Sequence, residues 1–274
     1  MKRILDYRNI LNRKHPLNRG LVSEWAALPQ LGGGKFLYDL CGNYHGTLTN
    51  GPTWMNTFYR PGGQGAIRYI VGSSQYVNCG TRLNPSTQSI TLAAWVRSTE
   101  SGSTYVINKN YDGAVVPYSL NLNIVSSVIG GFSFFDGFAW RMSGVVTDIT
   151  NTSVWRFVSG TWDGTTASYY IDGKLDSSST PGGTRPTSGT GITSIGAYLN
   201  DSNYFNGQID DVMMFNVCLS AVQIQRLYNE TRLGNPNRWN YIDVTRSSPI
   251  YLPANHSWRT ADGSYYMFQQ LLSQ

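Results

Sequence analysis

Charge is scarce in this chain of 274 residues: only 14% are Asp, Glu, Lys or Arg, against roughly 25% in an average globular protein. Glutamate is rarer still, with Glu24, Glu100 and Glu230 far apart. A glycoside hydrolase needs two carboxylates across the scissile bond, and no closely spaced glutamates offer such a pair. Histidines number three, His15, His45 and His256, and no Ser-His-Asp set follows from them. The three cysteines, Cys41, Cys79 and Cys218, are odd in number and lack CxxC spacing. That argues against both a disulfide framework and a zinc site. No run approaches the ~20 apolar residues of a membrane span, and the start "MKRILDYRNILNRKHPLNRG" lacks the unbroken apolar stretch of a secretory signal. The glycine run "GGGKF" lacks the Lys-Ser/Thr of a phosphate-binding loop.

What is present is aromatic and turn-rich. Aromatics make up 13% of the chain and there are 29 glycines, and Ser, Thr and Asn fill the gaps between short apolar runs. Strand patterns dominate from about residue 64 to 215. "YSLNLNIV" sets Leu120, Leu122 and Ile124 against Asn121 and Asn123, the alternation of a sheet with one solvated face. Asp163-Gly164 and Asp172-Gly173 are hairpin-turn dipeptides around the strand "TTASYYI". One helix is expected at "LSAVQIQRLYNE", apolar at Leu219, Val222 and Leu227, with Ile224 and Tyr228 near that face. Ser220 and Gln223 have capping-box spacing, and Gly234 and Pro236 end the helix.

The pieces sort into a basic arm (1–20), a β-domain (21–230) and an aromatic tail (231–274). The arm holds six bases, Arg3, Arg8, Arg13, Lys14 and two others, against the single acid Asp6. It therefore carries a charge equal to the whole net charge of +5. Such an arm suits an acidic protein surface; nucleic acid is the less expected partner, and a solvated tail is the plain alternative. In the tail, Trp239, Tyr241 and Trp258 are rings that a lone domain has no obvious room to bury, so they too are expected at a partner. "GGFSFFDGFAWRMSG" is the most aromatic stretch. Its Phe135, Phe138 and Trp140 read either as core and subunit contacts or as a platform for stacking a sugar ring. Asp210 and Asp211 are neighbours in the apolar run "YFNGQIDDVMMFN". Strand alternation would turn them to opposite faces, aiming one carboxylate at the core.

The order of "LYDLCGNYHGTL", "SQYVNCG", "ITLAAWVRS", "WRFVSGTWDGTTASYYIDGK" and "YFNGQIDDVMMFNVCLSAVQIQRLY" resembles the laminin-G-like jelly rolls of the concanavalin A-like lectin/glucanase superfamily. The resemblance covers roughly residues 21–230. It implies an all-β fold: a two-sheet antiparallel jelly-roll sandwich with one short C-terminal helix and extended terminal arms. It also implies a structural Ca2+ held by Asp39 and Asp211, with backbone oxygens near Gly42 and Asn43. A metal-free polar lock is the alternative for the same residues. The family's hydrolases carry an E-x-D-x-(x)-E strand, absent here, so no enzyme is expected. Two functions stay open. One is a structural or adhesion protein of a bacteriophage virion, a decoration or fibre component assembled in the host cytoplasm, with capsid proteins and further copies of itself as partners. The other is a secreted or surface lectin module that binds cell-surface glycans.

Overall fold

A computed structural model describes residues 10–28, 34–55, 65–70, 72–99, 104–123, 131–234 and 238–239, and the backbone of 257–259 and 265–267. Arg3, Arg8 and Tyr241 lie outside these residues, as does the side chain of Trp258.

Two large antiparallel sheets face each other. The first runs in hydrogen-bonded order Lys174–Ser179, Ala167–Ile171, Arg156–Trp162, Ile90–Ser98, Gly207–Phe215, Ala66–Tyr69, Thr53–Met55, and Leu21–Trp25 also pairs with Gly207–Phe215. The second runs Trp140–Met142, Phe132–Phe135, Val116–Asn123, Thr104–Lys109, Thr193–Ile195, Tyr76–Asn78, Gly46–Thr49, Phe36–Leu37. This is the two-sheet jelly-roll sandwich, with the core between the sheets. Leu92, Ala94, Val96, Val158 and Ile209 point in from one sheet, and Val77, Ile107, Leu120, Phe132 and Phe134 from the other. The expected alternation around Leu120 and Leu122 holds: both are in the core, and Asn121 turns to the outer face, where its amide donates to Ser133 Oγ at 3.2 Å.

Asp172-Gly173 forms a two-residue hairpin between Ile171 and Lys174. Both turn residues have positive φ (50° and 78°), the conformation that makes Asp-Gly the favoured dipeptide there. The helix spans Ala221–Arg232 with both halves of the Ser220–Gln223 capping box formed. It covers the outer face of the first sheet, packing Leu219, Ile224 and Leu227 on Ala93, Trp95, Phe157, Met213 and Phe215. Val222, expected on the apolar face, is instead 79% exposed. Residues 224, 227 and 231 define the buried stripe, and two residues of α-helix turn Val222 about 200° away from Ile224.

The arm and tail are part of this body over much of their described length. Ile10, Leu11 and Leu17 are buried. Leu11 bridges Trp239, and the Asn12 N–H donates to the Arg238 carbonyl at 2.8 Å. A packed unit of the chain thus begins by Ile10 and extends to Trp239, beyond the 21–230 limits read from the sequence.

Candidate functional site: the outer face of the second sheet

The helix packs on the outer face of the first sheet. On the second sheet's outer face the centre is closed over, with Asn108, Ser119, Ser133 and Ser194 fully buried, so a site there can lie only toward its ends. A row of directly paired residues crosses it: Thr47, Asn78, Ser194, Asn108, Ser119, Ser133, Met142. Paired residues share a face, so six of the seven form one transverse polar stripe. In its middle, residues 197–204 fold back over the sheet. Ser194 Oγ donates to the Ala197 carbonyl at 2.7 Å, and Asn110 Oδ1 accepts the Leu199 N–H at 2.6 Å.

At one end of the stripe stands an aromatic platform. Phe135 and Trp140 are a directly paired couple on the same face as Ser133 and Met142, with ring centroids 5.7 Å apart. Trp140 meets the edge of Tyr198 at 6.4 Å, Tyr198 stacks on Tyr105 at 5.0 Å, and Phe135 meets Tyr111 at 5.9 Å. Tyr105 and Tyr198 are buried and form the base, while Tyr111 and Trp140 remain 37% and 38% exposed. The Asn200 side chain brackets the Tyr111 backbone from both sides, at 3.0 and 3.1 Å. Phe138 stands apart, 93% exposed at the tip of a turn whose Asp136 accepts the Phe138 and Ala139 N–H groups, each at 2.9 Å. The structure thus unites Phe135 and Trp140, leaves Phe138 beside them on its turn, and adds Tyr111, Tyr198 and Asn200. Those three are distant in sequence and carry no local signal of their own.

The residues proposed to hold calcium are arranged for other work. Asp39 is fully buried. Its Oδ1 accepts the N–H of Glu24 and Cys41 (3.0 and 2.9 Å), and its Oδ2 accepts those of Asn43 and Tyr44 (3.0 Å each). Four backbone protons thus already converge on this carboxylate. The strand Leu21–Trp25 has Asp39 on one edge and the closing strand, with Asp211, on the other. Two strand spacings put those backbones about 10 Å apart. Among the described residues no three His, Cys, Asp or Glu side chains converge as a metal cluster. A calcium ion there would have to share Asp39 with its four N–H donors and draw its remaining ligands from backbone oxygens, each about 2.3–2.6 Å from the ion.

The adjacent aspartates are reconciled by a β-bulge. Opposite Trp95 and Ala93, the closing strand runs from Asp210 to Met213 with one residue too many, and Asp211 takes the left-handed conformation at φ 45°. Asp210 accepts the Ala27 N–H at 2.8 Å. The cation beside Glu24 is a guanidinium. Arg238, fully buried, places Nη2 2.6 Å from Glu24 Oε2, and its Nε donates to Asn18 Oδ1 at 3.0 Å. Trp239 Nε1 donates to Glu24 Oε1 at 3.0 Å. Burial pushes the Glu24 carboxyl up, Arg238 pulls it down, and the nearby Asp211 charge pushes it up again. Trp239, expected at a partner, is held by its own domain, whereas Arg13 and Lys14 are exposed. Arg238 is the functional surprise here. Its sequence context, "GNPNRWN", reads only as a helix stop and loop.

His45 serves the turn that follows Asp39: its Nδ1 accepts the Asp39 N–H at 3.1 Å and its ring meets the edge of Tyr38. Glu24 and Glu230 are both buried, and Glu230 is paired with Arg226 at 2.7 Å. Glu100 lies outside the described residues.

Comparisons with known proteins agree with this architecture. Among solved structures, domain 4 of AbnA, a GH43 extracellular arabinanase from Geobacillus stearothermophilus in complex with arabinotriose, matches at 18% identity and TM-score 0.60, over 76% of this chain and 98% of that one. The binding domain of botulinum neurotoxin DC in complex with SialylT matches at 14% identity and TM-score 0.57, over 78% of this chain and 52% of that one. Trypanosoma rangeli sialidase matches at 13% identity and TM-score 0.53, over 80% of this chain but 34% of that one. At these identities the likeness is one of fold. No curated protein matches. The family model of the concanavalin A-like lectin/glucanases superfamily matches residues 71–225, more than half of the chain, and the chain belongs to that superfamily.

Proposed function

We propose that the protein is a non-enzymatic saccharide-binding module that seats a sugar ring on the Phe135–Trp140–Tyr111 platform. The observation that carries this reading is the exposed ring pair Tyr111 and Trp140, braced by Phe135 and by the buried Tyr198–Tyr105 stack. Rings that keep more than a third of their surface while their neighbours fix them are pre-organised for stacking, so little side-chain entropy is lost on binding. Asn200 and Thr190, both exposed near this end, supply the polar groups that orient a hydroxylated ligand. Two structural neighbours named as complexes with arabinotriose and with SialylT support the choice of a saccharide. A glycan array followed by titration tests it. Wild type should bind at least one neutral oligosaccharide saturably, and Trp140→Ala should weaken that binding at least ten-fold with melting temperature unchanged. Binding indifferent to Trp140, or no binding at all, removes the proposal.

A second reading makes the module an adhesion or decoration part of a phage virion. The observation in its favour is the pairing of Ser257–Arg259 with Tyr265–Met267 in a two-stranded sheet that joins neither large sheet. An isolated hairpin is marginal in water, so a neighbouring subunit is its natural support. The exposed Arg13 and Lys14 suit an acidic surface there. Sedimentation of the purified protein tests this reading: a monomer that also fails to join particles would exclude it.

A further inference from the structure

At the far end of the polar stripe from the platform lies a cleft of about 380 Å³ lined by Asn43, Tyr44, His45, Thr47, Asn78, Cys79, Gly80, Thr81 and Arg82. Five strand steps separate Thr47 from Ser133 along the paired row, or roughly 24 Å. The cleft is thus a separate place on the same face.

Its chemistry is uneven in a useful way. Arg82 is the one Asp, Glu, Lys or Arg in the lining. It is exposed, and its guanidinium makes no hydrogen bond or ion pair among the described residues. Asn43, Thr47 and Thr81 are also exposed at the mouth, with amide and hydroxyl groups, while the Cys79 thiol is buried. Asp39 does not oppose the arginine as an open anion, because its oxygens are taken by the N–H groups of Glu24, Cys41, Asn43 and Tyr44.

The backbone that presents Arg82 is held from beneath. The buried Lys109 places Nζ on the carbonyls of Thr81 and Leu83, the latter at 3.3 Å. Tyr118 adds a hydrogen bond to the Leu83 carbonyl at 3.1 Å. On the opposite wall, Gly46 lets the strand approach closely: a Cβ there would lie 2.3 Å from Val77 Cγ1. Both walls are therefore fixed.

We infer that this cleft is a second ligand site and that its ligand is a carboxylate-bearing sugar of the uronic-acid type. The planar guanidinium pairs with a carboxylate through two parallel hydrogen bonds, and the uncharged amides and hydroxyls around it match ring hydroxyls. The volume lies at the lower end of the range for small-molecule sites, about 300–1,000 Å³, which suits a monosaccharide unit. The inference deepens the saccharide-binding reading and rests on it for the sugar part of the ligand, but not on the platform residues.

Titration of the full-length protein with D-glucuronate, followed by NMR or calorimetry, tests it, with D-glucose and acetate as the sugar and the carboxylate alone. Glucuronate should bind saturably and at least ten-fold tighter than either control. Arg82→Gln should reduce glucuronate to the level of glucose, and Trp140→Ala should leave glucuronate binding unchanged. The arginine is exposed and makes no hydrogen bond or ion pair among the described residues, so its variant should melt as wild type does. Acetate binding as well as glucuronate would mean a bare anion site and overturn the inference, as would an Arg82→Gln variant that binds normally. Absence of glucuronate binding, with Trp140-dependent binding of a neutral oligosaccharide intact, would remove the cleft alone. Loss of the neutral binding only would remove the platform alone.

Discussion

Asp39, Glu24 and Arg238 show how a few polar side chains can close a fold whose charged residues are so few. Each Asp39 oxygen accepts two backbone N–H groups. Asp39→Asn would turn an amide N–H onto donors and orphan at least one of them, at about 1–3 kcal/mol for each buried group left unmet. Arg238 is more exacting. It is fully buried against the fully buried Glu24, and removing one partner of such a pair costs about 3–5 kcal/mol because the other charge stays behind. Arg238→Ala should show that loss in denaturant unfolding, and Glu24→Gln with Arg238→Met should cost less than the single change. If Arg238→Ala proved as stable as wild type, the guanidinium would not be what satisfies this acid. The same arrangement predicts that a chelator leaves the melting temperature unchanged. A drop with EDTA that calcium restores would mean that a metal, and not this arginine, is the main support.

At the scale of elements, the sequence was legible wherever a local rule operated alone. Asp172-Gly173 made its hairpin, and Ser220 with Gln223 capped the helix, because each depends on residues within four positions. Asp210 and Asp211 were legible only as a conflict. The bulge that resolves it is set by pairing with the strand Ile90–Ser98, more than a hundred residues away, and no local pattern encodes that register. The junction of arm and helix was not legible either. His15 is buried, its Nδ1 accepts the Leu17 N–H at 3.3 Å, and its Nε2 lies 3.4 Å from Glu230 Oε2 and 3.3 Å from Arg226 Nη2. Burial lowers its pKa below 6.5; Glu230 opposes that shift, and Arg226 and Arg238 add to it. A histidine depressed on folding contributes stability that is complete above its unfolded pKa and is lost as pH falls toward the folded value. The melting temperature should therefore drop as pH falls below about 6.5, and less steeply in His15→Gln. Parallel curves for the two proteins would exclude His15 as the group responsible.

Across the whole molecule, the ends of the chain were the hardest part to read. Composition showed a basic arm and an aromatic tail and suggested that both wait for a neighbour, because neither has a strand or helix period. What composition could not show is that Leu11 and Trp239 bridge each other, in a cluster with Ile10, Ala26, Leu28 and Leu40. A contact between residues more than two hundred positions apart leaves no local trace. The platform was half legible for the same reason: Phe135 and Trp140 stand in one hairpin, but Tyr111 and Tyr198 reach them only through the folded sheet. The closure makes a prediction that separates the inner from the outer tail. A chain ending at residue 240 keeps Arg238 on Glu24 and Asn18 and keeps the Trp239 indole on Glu24. It should unfold at close to the full-length midpoint. A chain ending at residue 234 leaves Glu24 buried without its cation and uncovers the Ile10–Leu11 cluster. It should lose at least as much stability as Arg238→Ala, with N-terminal residues 10–18 becoming open to protease. Equal stability of the two truncated chains would show that the C-terminal segment only rests on the domain, and would return the arm and tail to the role of partner-seeking ends.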